Sequence, residues 1–220
     1  MTLPQPPLLV ITDRSQSRRP LEAVARAAFA AGCRWLSLRE KDLSPEARLV
    51  LLRRLVAIGR PWQARVGVHE DVAAALAAGA GAVHLPDEPS PAAARAQLPA
   101  TMLLGISAHD RAGVERAAAA GADYVSLSPI FASASKPGYG PALGLAGLAR
   151  AVQGATLPII ALGGIDAANA RDCIAAGAAG VAVMGAVMAA EDPGAAVSAL
   201  IASIGAALAA GATDPHSQKR

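Results

Sequence analysis

Four stretches of the chain repeat one layout of apolar and polar positions: an Ala-rich helix end, a Gly, a tight turn and a short apolar run. They are Ala30 to Leu38, Ala77 to Leu85, Ala119 to Leu127 and Ala175 to Val183. Gly tolerates the left-handed backbone that closes a helix, and an unbroken apolar run suits a strand covered on both faces. The glycines Gly32, Gly79, Gly121 and Gly177 recur at spacings that fit two strand-plus-helix units, so these are every second unit of a longer series. The alternate strands are Leu8 to Thr12, Arg65 to Val68, Leu103 to Ser107 and Pro158 to Leu162.

Helical segments fall between the strands at Pro20 to Ala31, Ser44 to Gly59, Asp71 to Ala78, Ser90 to Gln97, Arg111 to Ala120, Gly144 to Val152, Ala167 to Ala176 and Pro193 to Ala210. Ser44 and Ser90, each followed by Pro, read as N-caps ahead of a first-turn proline. Eight alternations predict an α/β fold whose parallel sheet closes on itself. That is a single (β/α)8 TIM barrel over residues 1–210, with a short disordered tail over 211–220. An open doubly wound sheet is the competing architecture, because alternation alone does not close a sheet.

Composition narrows the class. Of the 220 residues 53% are hydrophobic and only 3% aromatic, so the core is expected to be close-packed from small side chains. No apolar run reaches the length expected of a membrane span, and the start lacks the basic end and apolar stretch of a signal peptide. A cytoplasmic enzyme with no membrane contact is the expectation. A net charge of +3, with arginines dispersed among carboxylates, argues against nucleic acid and for an anionic small molecule. Cys33 and Cys173 read as small buried hydrophobes rather than a disulfide or a nucleophile. Trp62 either covers the base of the barrel or, with the Ala-rich helices, pairs two copies, which leaves a homo-oligomer open.

In such a barrel, chemistry belongs at the carboxyl ends of the strands. The second strand runs into Arg39-Glu-Lys41, where a guanidinium and an ammonium point the same way along an extended chain and suit a phosphate or diphosphate. A salt-bridge cluster with Glu40 and Asp42 is the plain alternative. The seventh strand ends in Gly163-Gly-Ile165 and the eighth at Met184-Gly185, loops whose backbone N–H groups form the usual phosphate cradle of these barrels. Glycines that only close tight turns are the alternative there. Past the sixth strand, Ser128 to Gly140 brings Ser133, Ser135 and Lys136 together as an anion clamp. Ser107 ends the fifth strand, and His84, His109 and His69 sit at strand ends as candidate proton carriers.

Ile11-Thr-Asp13, Arg39-Glu-Lys41, Val83-His-Leu85, Gly121 to Val125, Pro129-Ile-Phe131 with its trailing Ser133, Ser135 and Lys136, and Ala161 to Ile165 followed by Gly177 to Val183 occur in that order. Over nearly the whole chain this resembles the thiamine-phosphate synthase/TenI superfamily. The resemblance implies a thiazole phosphate as ligand and one of two reactions. Synthases join hydroxymethylpyrimidine diphosphate to the thiazole phosphate and release pyrophosphate with Mg2+. TenI-type members isomerise a carboxythiazole phosphate to its aromatic tautomer.

Departures from the family pattern bear on that choice. Ser37 stands where synthases have Gln, and the third strand reads Gly67-Val-His-Glu70 where they have Asn-Asp. Val68 offers no hard oxygen to a metal. The fourth loop, His84-Leu-Pro-Asp-Glu88, resembles TenI-type members, and Asp87 and Glu88 are weak metal candidates, with Glu70 or Asp71 as substitutes only in a rearranged site. No cofactor is therefore assigned, except Mg2+ if the chain is a synthase. Yet Pro129 stands where TenI-type members keep a His, so His84, His109 or Lys136 must supply the chemistry. The leading expectation is a TenI-like tautomerase with Arg39, Lys41, Ser107, Ser133, Ser135, Gly163, Gly164, Met184 and Gly185 binding the substrate. A thiamine-phosphate synthase is the alternative, and a non-catalytic thiazole-phosphate binder the second.

Overall fold

The computed structural model describes residues 2–87, 91–132 and 141–212. Eight parallel strands close into a barrel in chain order: β1 (Leu8–Ile11), β2 (Trp35–Leu38), β3 (Arg65–His69), β4 (Ala82–Leu85), β5 (Leu103–Ala108), β6 (Tyr124–Leu127), β7 (Ile159–Leu162) and β8 (Gly180–Val183). Leu9 pairs with Ala182 across the closing seam, which excludes the open sheet. Around it lie α1 (Leu21–Ala30), α2 (Pro45–Gly59), α3 (Val72–Ala78), α4 (Pro91–Gln97), α5 (Arg111–Ala119), α6 (Gly144–Val152), α7 (Ala170–Ala175), α8 (Gly185–Met188) and α9 (Pro193–Ala212).

The repeated glycines end helices or their turns as expected. Gly32, Gly79, Gly121 and Gly177 all have positive φ. Helix starts are fixed by side chains: the Ser44 hydroxyl accepts from Ala47 N at 3.2 Å, Asp71 from Ala74 N at 2.8 Å and Asp110 from Gly113 N at 2.7 Å. Each such cap contributes about 1 kcal/mol.

Strand parity builds two cores from the apolar runs. Leu9, Ile11, Trp35, Ala82, Leu103, Tyr124, Ile160 and Ala182 point into the barrel, with Leu3 packed among them. Their neighbours Leu8, Val10, Leu36, Val68, Val83, Leu104, Ile106 and Val181 face the helices. Both faces are apolar, so each strand reads as a continuous run rather than an alternation. Cys33 and Cys173 are buried and free, as the sequence implies.

Three expectations change. Val68, taken as the strand-end residue that denies a metal its ligand, lies in the outer core, and the strand continues to His69. Helix α9 extends through Ala212, two residues into the segment read as a tail; the remainder of that tail lies outside the described residues. Contrary to the reading of apolar runs, Pro193–Gly211 has a mean hydropathy of 1.8 and is long and apolar enough to cross a membrane. The same helix packs along α1 and α7 and buries Val197, Leu200 and Ile204, which makes it the last helix of the barrel's outer layer.

Candidate functional site

A cavity of about 730 Å³ opens at the carboxyl ends of the strands. Arg39, Lys41, His84, Asp87, Ser107, His109, Gly163, Gly164, Met184 and Gly185 all line it, so residues expected from five different strand ends converge on one space. Ser133, Ser135, Lys136 and Glu88 lie outside the described residues.

On the β2 side the plain alternative for Arg39 does not hold. Glu40 and Asp42 both pair with Arg14, while the Arg39 guanidinium makes no ion pair among the described residues and lines the cavity. Lys41 Nζ sits 3.1 Å from Glu70 Oε1, a contact between the ends of β2 and β3. Asp13, after β1, faces the same space. Burial pushes its carboxyl up, but hydrogen bonds from Ser15 and Gln16, with the charge of Arg39, outweigh that and hold it below the usual range.

The opposite wall is made of backbone. Gly163 and Gly164 both have positive φ, and a Cβ on Gly164 would meet Phe131 Cβ at 2.8 Å. Ile130 N and Phe131 N donate to Leu162 and Gly163 carbonyls at 2.9 and 3.0 Å. The glycines thus let the β6 and β7 loops touch, and both still line the cavity. Gly185 and Ala186 begin α8, where the first amide N–H groups have no carbonyl partner within the helix.

Between these walls lies a buried polar network at the cavity floor. His84, only 3% exposed, places Nδ1 3.1 Å from the Tyr124 hydroxyl and Nε2 3.0 and 3.1 Å from the Ser107 and Ser126 hydroxyls. Its ring lies 4.7 Å from that of His69. Burial pushes the His84 pKa down to about 4 and raises that of Tyr124, so near neutral pH the imidazole is neutral and the phenol protonated. In the tautomer that takes the Tyr124 proton at Nδ1, Nε2–H donates to a serine oxygen. The Ser107 hydroxyl proton is then available to a ligand. His109, at the rim, holds the Ser128 carbonyl through Nδ1 at 2.7 Å.

The depressed pKa of His84 has a stability consequence with a definite sign. Below the ordinary His value of 6.5 the unfolded chain takes up a proton that the folded one refuses until about pH 4. Stability from this site is therefore present above pH 6.5 and is lost as pH falls toward 4, by roughly 3 kcal/mol. Urea unfolding of wild type and His84→Gln at pH 7 and pH 4.5 measures it: the variant is expected to lose distinctly less stability on acidification, and equal losses contradict the assignment.

Several cavity residues carry no role, or a lesser one, in the sequence reading. Asp13 enters only within the motif Ile11-Thr-Asp13 and Gln16 lies beyond it, Glu70 is read only as a substitute metal ligand in a rearranged site, and Asp166 and Ala186 follow the glycines read as the phosphate cradle. Tyr124 and Ser126 alternate with helix-facing Val125 and Leu127, but in a strand buried on both faces that parity has no polar signal to anchor it. Of the metal candidates, Asp71 caps α3 and pairs with Arg48, and Asp87 is held by Arg116.

Eight parallel strands, with a cavity at their carboxyl ends holding a cationic side and a glycine-rich side, define a (β/α)8-barrel enzyme. Residues 8–187 match the family model described as thiamine monophosphate synthase, and the chain belongs to that family. It is 43% identical over 197 residues to a putative thiamine-phosphate synthase of Geobacter sulfurreducens, covering 89% of this chain and 92% of that one. It is 42% identical over 206 residues to the thiamine-phosphate synthase of Methanoculleus marisnigri, with 93% and 98% covered. Among solved structures, the thiamine phosphate pyrophosphorylase of Pyrococcus furiosus superimposes with a TM-score of 0.83 at 29% identity, covering 91% of this chain and 96% of that one.

Proposed function

We propose that this protein is a thiamine-phosphate synthase, joining hydroxymethylpyrimidine diphosphate to a thiazole phosphate with release of pyrophosphate. The observation that carries the reading is the pair of unlike anion sites facing one cavity: Arg39 and Lys41 on one side, the Gly163, Gly164 and Gly185 backbone on the other. A transfer between two phosphorylated substrates needs both, whereas an isomerase acting on one thiazole phosphate needs one. The names of the relatives favour the same choice over the tautomerase.

The chemistry agrees with the side chains present. The bond between the pyrimidine methylene carbon and the diphosphate oxygen breaks, its electron pair leaving with pyrophosphate, and the thiazole nitrogen lone pair forms the new C–N bond. No proton moves in this exchange. Pro129 in the place of a His, and a His84 that is buried and a weak base, are therefore no handicap to a synthase, though they would be to a tautomerase. Arg39 and Lys41 stabilise charge that grows on the departing oxygens. Ser107, with its hydroxyl proton available, suits a ring nitrogen of the pyrimidine.

Mg2+ fits this arrangement, because such an ion is held by one or two carboxylates plus substrate phosphates, and Glu70 and Asp87 both line the cavity at neighbouring strand ends. When bound it would neutralise charge on the diphosphate, with Glu70 giving up its contact to Lys41 and Asp87 its pair with Arg116. The test is pyrophosphate release from the purified protein with both substrates present. Release that requires both substrates and stops with a chelator is expected, and a chelator without effect overturns the metal assignment.

A further inference from the structure

Glu40 stands between the two cations Arg39 and Lys41; it does not line their main cavity, but all three line a smaller recess of about 190 Å³. Glu40 is 3% exposed, a carboxylate taken almost wholly from water. Burial raises its pKa, with hydrogen bonds only partly offsetting that, so its retention in ionised form is unfavourable unless its contacts do something. Those contacts are specific. The Thr12 hydroxyl donates to Oε1 at 2.7 Å, and the Arg14 backbone N–H reaches both oxygens at 3.2 and 3.1 Å. Arg14 Nε lies 3.6 Å away.

Thr12, itself 1% exposed, is the connecting piece. Its oxygen accepts the backbone N–H of Arg39 at 2.9 Å while its proton goes to Glu40. One hydroxyl therefore ties the carboxylate to the main chain of the anion-binding arginine. The same carboxylate fixes the start of the turn that follows β1, in which Asp13 holds the Gln16 amide at 2.7 Å, and that amide reaches Met184 Sδ at 3.4 Å on the β8 loop. Gln16 Oε1 would stand 3.1 Å from a Cβ on Gly185.

We infer that Glu40, acting through Thr12 and the Arg14 amide, is a positioning residue that sets Arg39 at one anion site and, through the Asp13–Gln16 turn, the Met184–Gly185 loop at the other. The inference rests on the synthase reading for which ligands those sites take, but the binding arm of its test does not require turnover. The effect is on where two anion sites lie relative to one another, so substrate affinity should respond before fold stability does.

Binding of inorganic pyrophosphate by titration calorimetry, with KM for the thiazole phosphate in parallel, separates this from a merely structural role. Thr12→Val keeps the shape of the side chain and removes the hydroxyl. It is expected to weaken pyrophosphate binding about 10-fold and to raise the thiazole phosphate KM, the size expected from one lost hydrogen bond to a charged group, and to lower kcat as well, because Arg39 meets charge that grows in the transition state. Thr12→Ser should restore all three to near wild type. Glu40→Gln should move in the same direction as Thr12→Val.

If either Thr12→Val or Glu40→Gln binds pyrophosphate as wild type does, with only its melting temperature lowered, the positioning role is overturned while the synthase reading stands. A wild-type protein that neither binds pyrophosphate nor forms product overturns both.

Discussion

Arg39→Ala is expected to lower thiamine phosphate formation by about 10²- to 10³-fold while leaving the melting temperature close to wild type. The two halves of this expectation come from separate observations. The guanidinium lines the cavity on the side assigned to the departing pyrophosphate, and removing one donor to developing oxyanion charge has an effect of that order. Among the described residues it makes no ion pair, so little of the fold leans on it. Arg39→Lys keeps the charge but loses the planar fork, and should recover only part of the rate. Steady-state kinetics beside a thermal melt checks both halves. A rate within about threefold of wild type would remove Arg39 from the site.

The second large effect is structural. Gly105 lies on the barrel-facing side of β5, opposite Tyr124, and a Cβ there would run into the Tyr124 phenol and come within 2.5 Å of His84 Nδ1. Neither side chain has room to move, since both are fully buried and Tyr124 also meets Trp35 edge-on at 4.8 Å. Gly105→Ala should therefore destabilise by about 3 kcal/mol or more, because overpacking adds to the loss of buried hydrogen bonds. The mechanism is checkable by a double-mutant cycle. In a Tyr124→Leu background the same substitution should be much less harmful. Equal damage in both backgrounds would show that the tyrosine ring is not what Gly105 makes room for.

That glycine shows where the sequence is informative and where it is not. The eight strands were legible because helix-closing glycines and apolar runs are local signals, and Gly32, Gly79, Gly121 and Gly177 mark every second one directly. The cations and glycines of the site were legible because strand ends can be counted once the alternation is known. Which face a strand residue takes was not, since strands covered on both sides carry no polar alternation. Val68, read as the strand-end position that denies a metal its oxygen, packs under the helices, while His69 and Glu70, given lesser parts in the sequence reading, line the cavity.

The same difficulty tipped the choice of reaction. The third- and fourth-strand loops resemble TenI-type members, but Glu70 brings to the cavity the carboxylate that Val68 does not supply. Tertiary partners such as Thr12 with Glu40, or Tyr124 with His84, join residues from different strands, and no local pattern announces them. Helix α8 escaped notice because its four residues are too short for a periodic signal.

That this cavity joins two phosphorylated substrates is open to direct measurement. The most direct measurement is mass spectrometry of the products when the purified protein is given hydroxymethylpyrimidine diphosphate, thiazole phosphate and Mg2+, beside a second reaction given the carboxythiazole tautomer alone. Thiamine phosphate in the first and unchanged tautomer in the second is the predicted result. Conversion of the tautomer with no thiamine phosphate from the pair would contradict the account.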